Sequence, residues 1–415
     1  MGQMKNLAVK AKTASRALAI KTASQKNIVL KQMAKLLKNN ASLIQKENKK
    51  DLINAKKNQL SGAMIDRLTL SDDRIKAMAD GIIQIATLKD PVGEIIEQWE
   101  QPNKMRITKQ RVPIGLVGII FESRPNVTAD AAALCLKSGN GCILRGGKEA
   151  FYSNSVIVKI LQSALKDKTF DPNMISFVNK TDRALVKEML RLEGIIDVII
   201  PRGGKSLIKA VTEQSLIPVI KHYDGNCHIY VDKFADFKMA LEICINAKTQ
   251  RPGVCNAAET FLIHEGVAKK FLPLLGKELN AHKVEIRGCT QTKKILPKIK
   301  KASKDDWVME YLDLIVAIKV VKDIDEAINH INNFGSGHSD CIVSKNKLAK
   351  NNFVERVDSA VVFANVSTRF NDGFEFGFGA EIGISTDRLH ARGPVGLKEL
   401  TTYKYVVEGN GQIKN

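Results

Sequence analysis

From Val112 onward, short apolar runs alternate with amphipathic segments, and this alternation limits the possible folds more than any other feature of the sequence. The first series of strand-like runs covers 112–121, 142–145, 174–178 and 198–200, and a second series covers 229–231, 260–263, 314–320 and 340–343. Helical patterns separate the runs within each series. Strands that alternate with helices form parallel sheets covered by helices on both faces. We therefore expect an α/β fold with two parallel-sheet units.

The chain before and after these runs has a different character. Apolar residues recur every three or four positions through Ile28–Leu37, Leu43–Ile53 and Arg74–Leu88, which predicts helices, and Ser71 is a candidate N-cap. The Gly- and aromatic-rich stretch 370–383 is typical of a loop. The extended segment 401–407 is expected to pair with the polar alternating segment 103–111.

Length and composition fit a protein of two or three domains, because domains average ~150 residues and the chain has 415. No apolar run approaches the ~20 residues that a membrane span needs, and the first residues contain no apolar stretch typical of a secretory signal. The seven cysteines are odd in number and scattered, which argues against a secreted disulfide framework. We therefore expect a cytoplasmic protein with no membrane partner.

The positive charge is concentrated in two stretches. Residues 1–60 carry 14 Lys/Arg against two acidic residues, and residues 282–304 carry eight against one, in a chain with a net charge of +20. Such stretches could form a nucleic-acid-binding surface if they shared one face. Residues 1–60 contain no Phe, Tyr or Trp for base stacking, so solvated lysine-rich helix faces are the favoured interpretation, with no nucleic-acid partner.

Several common motifs are missing. Gly204-Lys205-Ser206 resembles the end of a phosphate-binding loop, but Ile199 stands where that motif requires glycine. The sequence has no Gly-x-Gly-x-x-Gly, no Cys-x-x-Cys and no His-Glu-x-x-His. We therefore expect no metal site from the spacing of the residues.

Cys255 is the candidate nucleophile. It lies in the turn-forming sequence Arg251-Pro-Gly-Val-Cys-Asn256, between a predicted helix and a predicted strand. A turn exposes backbone N–H groups that can stabilise an oxyanion, and a nearby cation increases the thiolate fraction. A turn cysteine without a chemical role is the alternative. Cys135, Cys142 and Cys244 lie in apolar elements and are predicted to be core residues.

Four stretches together resemble the gamma-glutamyl phosphate reductase family of the aldehyde dehydrogenase superfamily. They are Ile119-Ile-Phe-Glu-Ser-Arg-Pro-Asn126, Gln250-Arg-Pro-Gly-Val-Cys-Asn-Ala-Ala-Glu-Thr260, the pair Val321–Ala327 and Gly335–Asp340, and the pair Glu381–Thr386 and His390–Pro394. The resemblance implies a Rossmann-type cofactor domain over 1–226, with a hairpin at 100–112 that joins subunits. It also implies a catalytic domain over 227–380 and a C-terminal return with an oligomerisation tail over 381–415.

The resemblance also implies the reaction. The thiolate of Cys255 would attack L-glutamyl 5-phosphate, phosphate would leave, and hydride from NADPH would reduce the thioester to L-glutamate 5-semialdehyde, the second step of proline biosynthesis from glutamate. Asn126 and the Cys255 backbone N–H would stabilise the oxyanion. Arg124 and Arg251 would bind substrate, and Arg124 could instead form a structural salt bridge.

The predicted cofactor residues follow three strands of the first sheet, where open α/β sheets bind ligands. Basic groups after the second strand suit the 2′-phosphate of NADP, and N–H groups at a helix start suit a pyrophosphate. An ordinary basic loop and a plain turn are the respective alternatives. The residues after these strands are Ser123, Arg145, Gly146, Gly147, Lys148, Gly203, Gly204, Lys205 and Ser206, and the resemblance adds Glu381 from the Gly-rich region.

Hydrolytic members of the superfamily carry a glutamate base in a region that here reads Lys221-His-Tyr-Asp-Gly-Asn-Cys227, without glutamate. This absence suits an enzyme whose acyl partner is phosphate. The resemblance further implies a homo-oligomer, with a dimer as the first expectation, and a transient contact with a separate glutamate 5-kinase. A dehydrogenase of the same fold acting on another aldehyde, and a nucleic-acid-binding module, are the alternatives.

Overall fold

The computed structural model describes residues 2–414 and divides the chain into two units. The first unit contains the residues up to Lys221, Gly377–Gly383 and the residues from Val395 onward. The second unit contains His222–Phe376 and Ile384–Pro394. The segment 381–415, predicted as one C-terminal return, is therefore shared between the two units.

The first unit contains nine α-helices and seven strands in its described residues. The helices are α1 Gln3–Ala19, α2 Ala23–Asn39, α3 Ala41–Lys57, α4 Gly62–Leu68, α5 Asp72–Thr87, α6 Asn126–Lys137, α7 Phe151–Asp167, α8 Ala184–Met189 and α9 Lys205–Gln214. The strands are β1 Ile95–Glu100, β2 Arg106–Pro113, β3 Leu116–Phe121, β4 Gly141–Gly146, β5 Ile175–Phe177, β6 Val198–Arg202 and, at the C-terminal end, β16 Thr401–Glu408.

The central sheet of this unit is parallel, with strand order β5-β4-β3-β6. All six residues of β3 are buried, as expected for a strand covered on both faces. The predicted single strand 112–121 was wrong, because Gly115 turns the chain between β2 and β3. Gly115 has a φ of 130°, and a Cβ there would overlap the carboxylate of Asp197. The same carboxylate accepts the Leu116 N–H at 2.6 Å and fixes the start of β3.

A second, three-stranded antiparallel sheet has the order β1-β2-β16. The predicted pairing of 401–407 with 103–111 is confirmed, with Thr401 opposite Pro113 and Glu408 opposite Arg106. The strand β16 lies at the edge of this sheet, and most of its residues are exposed.

The N-terminal helices α2, α3 and α5 confirm the helical periodicity, and Ser71 caps α5 by accepting the Arg74 N–H. Most lysines of this region are exposed, with one clear exception. Lys26 is 1% exposed and forms a 2.5 Å ion pair with Asp90. Within the described residues, none of the helices is both long and apolar enough to cross a bilayer.

The second unit is built on a seven-stranded parallel sheet in the order β10-β9-β11-β8-β7-β12-β13. Its strands are β7 Cys227–Val231, β8 Ala258–His264, β9 Glu285–Gly288, β10 Lys300–Lys301, β11 Ile315–Val321, β12 Ser339–Val343, β13 Val361–Ala364, β14 Ile384–Ser385 and β15 Gly393–Pro394. Its helices are α10 Phe237–Thr249, α11 Glu265–Ala281, α12 Thr290–Ile295, α13 Ile324–Phe334 and α14 Lys347–Arg356. The two short strands β14 and β15 pair with each other.

The basic stretch 282–304 forms two strands and a helix of this unit and does not form a uniformly charged surface. It contains β9, α12 and β10, and Arg287 forms ion pairs of 2.8 Å with both Glu285 and Asp306. Part of its positive charge is therefore neutralised within the unit.

Candidate active site

In the first unit, the predicted cofactor residues lie where the sheet changes direction. The chain runs from β3 outward through β4 to β5 and then returns to the other side of β3 as β6. Phe121 at the end of β3 pairs with Arg202 at the end of β6, so the loops that follow these strands are neighbours. In open α/β sheets, ligands bind at the carboxyl ends of the strands at this reversal.

The loop after β3 is fixed by a carboxylate from the loop after β4. Ser123 has a φ of 44°, and its N–H and hydroxyl donate to Glu149 Oε1 at 2.7 and 2.9 Å. Ser123, a predicted cofactor residue, is 8% exposed. Its two hydrogen bonds to Glu149 hold the two loops together.

Arg145, near the end of β4, and Lys148, just after β4, lie in different environments. The Arg145 side chain donates to the Thr181 carbonyl at 3.1 Å, and burial lowers the pKa of its guanidinium, opposed by Glu149. Its Nε is buried and has no hydrogen-bond partner within residues 2–414. Lys148 is exposed. Gly146 has a packing role, since a Cβ there would overlap the Asn154 side chain.

The residues 203–206 after β6 are all exposed and lead into α9. Gly204 is the N-cap and has no side chain, so no N-cap side chain accepts the backbone N–H groups of the first turn. The Gly204 N–H donates to Glu122 Oε2 at 3.1 Å. A carboxylate therefore contacts the helix start that we predicted to bind a pyrophosphate.

In the second unit, Cys255 lies in the turn that joins α10 to β8, and it is partly exposed. Cys135, Cys142, Cys227, Cys244 and Cys341 are all buried, which confirms the three predicted core cysteines. The thiol of Cys227 donates to the Cys255 carbonyl oxygen at 3.1 Å. Burial raises the pKa of Cys227 well above its usual range, so this neighbour stays a thiol donor.

The Cys255 turn is held from one side by Gly225. A Cβ at residue 225 would overlap the Cys255 carbonyl oxygen and lie 2.5 Å from its Cα. Only glycine allows this close approach of two backbone segments. The Gly225 N–H also donates to Glu310 Oε1 at 2.9 Å, which fixes the position of residue 225.

Asn256 holds the turn from the other side. Its amide donates to the Asn371 carbonyl at 3.0 Å, and the Thr368 hydroxyl donates to the Asn256 carbonyl at 2.7 Å. The guanidinium of Arg369 donates to Asn256 Oδ1. Arg369 is half-buried, and burial lowers the pKa of its guanidinium. The nearby charge of Arg251 lowers this pKa as well, whereas Cys255 raises it. The charge of Arg369 is thus close enough to influence the Cys255 thiol.

Two imidazoles lie beside the nucleophile. The ligand atoms of His222, Cys255 and His338 all lie within 4.8 Å of one another. His338 is fully buried, and its Nδ1 is 2.8 Å from the Ser339 hydroxyl oxygen. Burial lowers the pKa of His338 far below its usual value, so the ring is neutral.

A buried ion pair lies on the elements that flank the turn. Lys248 near the end of α10 and Glu259 in β8 are both 0% exposed, and their charged atoms are 2.5 Å apart. Burial raises the pKa of Glu259 to about 7 despite this lysine. Lys248 and Glu259 therefore fix the end of α10 to the start of β8.

Comparisons with known proteins show the family of the chain. The chain matches the aldehyde dehydrogenase family over residues 2–317. It is 56% identical to gamma-glutamyl phosphate reductase of Caldanaerobacter subterraneus over 98% of both chains, and 54% identical to that of Carboxydothermus hydrogenoformans over 100% of both. The crystal structure of gamma-glutamyl phosphate reductase from Thermotoga maritima superimposes with a TM-score of 0.98 at 48% identity, covering 100% of both chains.

The chain belongs to the gamma-glutamyl phosphate reductase family. The aldehyde dehydrogenase fold is confirmed as well. An acetylating aldehyde dehydrogenase from Geobacillus thermoglucosidasius shares that fold at 18% identity and a TM-score of 0.70, covering 100% of this chain and 98% of the other.

The remaining predicted site residues of this reductase-family chain lie on loops and helix starts. Asn126 begins α6 and is exposed, and its amide donates to Asp130 Oδ2 at 2.9 Å. Burial raises the pKa of Asp130 to about 6. Arg124 and Arg251 are exposed, and Glu381 is partly exposed in the segment 377–383.

Glu122, His222, Gly225 and Arg369 are four of the residues that shape the site and that sequence reasoning missed. Three of them stand in stretches that we had already quoted or compared: Glu122 in the 119–126 motif, and His222 and Gly225 in the segment examined for a missing glutamate. Arg369 lies just before the predicted loop, and only the fold brings it to Asn256. Its position could not follow from spacing, since 113 residues separate the two.

Gly225→Ala is expected to lower kcat by about 10²-fold without unfolding the chain. The added Cβ displaces the Cys255 backbone, and a misplacement of ~1 Å at a reacting group costs about that much. Steady-state kinetics together with thermal unfolding would measure both quantities. Gly62→Ala is the control, because its Cβ would meet nothing within 4 Å. A Gly225→Ala variant with native kcat would contradict the close approach.

Proposed function

We propose that the chain reduces L-glutamyl 5-phosphate to L-glutamate 5-semialdehyde and releases phosphate through a thioester on Cys255. Membership of the gamma-glutamyl phosphate reductase family at 53–56% identity over nearly the whole chain supports this substrate. The observation that carries the mechanism is the partly exposed Cys255, held in its turn by Gly225 and Asn256.

Cys255 and its neighbour Arg369 each have a task in this reaction. The Cys255 sulfur attacks the acyl carbon, the C–O bond to phosphate breaks, and a thioester forms. The positive charge of Arg369 favours the thiolate that starts this step. Splitting the reduction into acyl transfer and thioester reduction replaces one difficult step by two easier ones. The predicted oxyanion role of Asn126 requires its amide to leave Asp130.

The first unit offers groups that fit a nicotinamide cofactor. Backbone N–H groups at the start of a helix suit a pyrophosphate, and the exposed residues at the start of α9 lie at the reversal of the sheet. The Glu122 carboxylate on Gly204 N–H must move aside for a phosphate group. When bound, NADPH supplies the hydride. Glu381 is proposed as a further cofactor contact on the strength of the family resemblance alone.

A preference for NADPH over NADH is part of the proposal. Arg145 and Lys148 place two positive charges after β4, where the 2′-phosphate is expected. Arg145 has a buried Nε without a hydrogen-bond partner in the described chain, so a phosphate oxygen would supply the missing acceptor.

A hydrolytic dehydrogenase is the second candidate, and one observation favours it. The Glu310 carboxylate lies next to the nucleophile turn, where it accepts the Gly225 N–H at 2.9 Å. A carboxylate in such a place could activate water and hydrolyse the thioester. The segment 221–227 is without glutamate, so Glu310 would have to take that role.

The reverse reaction tests the proposal without the unstable acyl phosphate. We expect NADPH formation from glutamate 5-semialdehyde and NADP to require inorganic phosphate, because only phosphate can release the acyl group from Cys255. The same assay with NAD should give a lower kcat/KM. Turnover without phosphate would instead support hydrolysis, and Glu310→Gln should then abolish it.

We also propose that the chain forms a homo-oligomer through the sheet β1-β2-β16. The strand β16 is an edge strand, and Tyr403, Tyr405 and Val407 are 49%, 54% and 56% exposed on it. Exposed edges that carry large apolar side chains favour pairing with another chain. The predicted transient contact with glutamate 5-kinase stays a prediction.

Tyr405→Lys combined with Val407→Lys is expected to weaken self-association at least 10-fold. Two like charges brought together across a symmetric contact repel, and a 10-fold change corresponds to about 1.4 kcal/mol. Light scattering over a dilution series would measure the shift. Ile20→Lys is the matched control, because Ile20 is 84% exposed outside this sheet. An unchanged mass at every dilution would place the subunit contact elsewhere.

A further inference from the structure

The nucleophile Cys255 and two histidines to which the proposed reaction assigns no role form a set of soft and borderline metal ligands. The ligand atoms of His222, Cys255 and His338 all lie within 4.8 Å of one another in the second unit. Thiolate and imidazole are the ligands that Zn²⁺ prefers, at about 2.3 Å for sulfur and 2.0–2.1 Å for nitrogen. We propose that these three residues form a Zn²⁺ site that captures the nucleophile and switches the enzyme off reversibly.

The hydrogen bond of His222 prepares its ring for a metal. Its Nδ1 lies 2.8 Å from the Ile384 carbonyl oxygen, which can only accept, so Nδ1 carries the proton. In the neutral ring the lone pair is then on Nε2. Metal-bound histidines characteristically donate their second N–H to a backbone carbonyl, which fixes both tautomer and ring orientation.

His338 supplies the second nitrogen. Its ring is completely buried and packs edge-on to His222, with 5.5 Å between ring centres. Nδ1 is engaged with the Ser339 hydroxyl at 2.8 Å, whereas Nε2 is buried and has no hydrogen-bond partner in the part of the chain that the structure describes. Buried polar nitrogens without a partner are rare in folded proteins and require an explanation. A metal ion bound by the cluster provides one.

The geometry allows a tetrahedral ion with three protein ligands. Bonds of 2.0–2.3 Å at tetrahedral angles separate ligand atoms by roughly 3.3–3.6 Å, so a pair of ligand atoms at the full 4.8 Å must approach by up to about 1.5 Å. Cys255 and His222 are both partly exposed, so small movements of their side chains can supply this contraction. The fourth position stays open to water, as in sites that exchange their ligands.

Metal binding and catalysis exclude each other because both need the same sulfur. The Zn–S bond forms as the Cys255 thiol loses its proton to solvent, and no electron transfer is involved. The sulfur lone pair that would attack an acyl carbon is then bound to the metal. A chelator that removes the ion returns the sulfur to the reactive state.

The test uses the full chain, treated with chelator and then titrated with Co²⁺ as a spectroscopic substitute for Zn²⁺. We expect a thiolate-to-cobalt charge-transfer band that saturates at one metal per chain and disappears when Zn²⁺ is added. In the reaction assay, Zn²⁺ should inhibit and the chelator should restore full turnover. The band reports binding even if the proposed reaction is wrong, so the two failures are distinguishable.

Three variants locate the ligands. Cys255→Ala should lose the band completely, whereas His222→Ala and His338→Ala should each weaken Co²⁺ binding by at least about 100-fold, since loss of an outer partner alone costs 10–100-fold. His338 is buried, so His222→Ala keeps the test decisive if the His338 variant does not fold. Cys289→Ser is the matched control, because Cys289 is the other partly exposed cysteine among the seven. No band, a band that persists in Cys255→Ala, or native affinity in His222→Ala would overturn the proposal.

Discussion

Replacing Cys255 with alanine is expected to lower kcat of the phosphate-dependent reverse reaction by roughly 10⁴–10⁶-fold, the range seen when a catalytic nucleophile is removed. Alanine cannot form the thioester, so both acyl transfer and hydride transfer lose their covalent intermediate. The fold should survive, because Gly225, Asn256 and Cys227 hold the backbone of residue 255 rather than its side chain.

The control for this experiment is Cys289→Ser. Cys289 is partly exposed in the same unit and caps α12 through its sulfur, a role that a serine hydroxyl can fill. It should keep native kcat, and both variants should bind NADPH as the native chain does. A Cys255→Ala enzyme that retained more than about 1% of native kcat would rule out the thioester route, because that loss is far smaller than removing a nucleophile causes.

Lys248→Met is expected to destabilise the chain by about 3–5 kcal/mol near pH 7.5, because it leaves the buried Glu259 without its cation. The loss relative to the native chain should shrink as the pH falls toward 7, where Glu259 becomes protonated in both chains. Burial already raises the pKa of Glu259 to about 7 from 4.5, and removing the lysine raises it further. Between the unfolded and folded pKa, unfolding releases one proton, so the free energy of unfolding falls as pH rises, by about 1.4 kcal/mol per pH unit.

Urea unfolding of the Lys248→Met variant and of the native chain at pH 6.5, 7.5 and 8.5 would measure how the extra loss changes with pH. The double variant Lys248→Met with Glu259→Gln is the control, since a neutral amide of the same shape removes the titrating group. Glutamine can still accept the Leu312 N–H that Glu259 Oε1 accepts at 3.3 Å. A Lys248→Met variant whose extra loss is the same at all three pH values would mean that Glu259 does not titrate in the fold.

Strands and helices followed from the sequence wherever burial imposed a clear period. The fully buried β7 and β12 and the half-buried helices α2 and α5 are examples. The strand β9 was missed, because its sequence Glu285-Ile-Arg-Gly288 alternates only once and is charged. It becomes a strand because β11 offers a parallel neighbour, and such long-range pairing leaves no local signal.

The candidate site likewise contains residues that could be predicted from the sequence and residues that could not. Cys255 could be recognised because a turn sequence surrounds it, and the sheet reversal could be expected from the order of strands and helices. The contacts that hold Cys255 come from residues 225, 227, 368 and 371, which no spacing rule connects to it. The carboxylates of Glu122 and Glu149 were missed for another reason. Their hydrogen bonds to Gly204 and Ser123 depend on loop conformations, and charged residues after strands are common on any surface.

The pairing of β2 with β16 has a consequence for how the protein is made. Arg106 and its partner Glu408 are separated by 302 residues, so the ribosome needs roughly 15–60 s at 5–20 residues per second to deliver the last strand. During that time the open side of β2 presents unpaired backbone groups to the nascent chain and its neighbours. A nascent chain stalled before Thr401 would keep this edge exposed, which makes it a natural substrate for chaperones and a source of aggregation during overexpression.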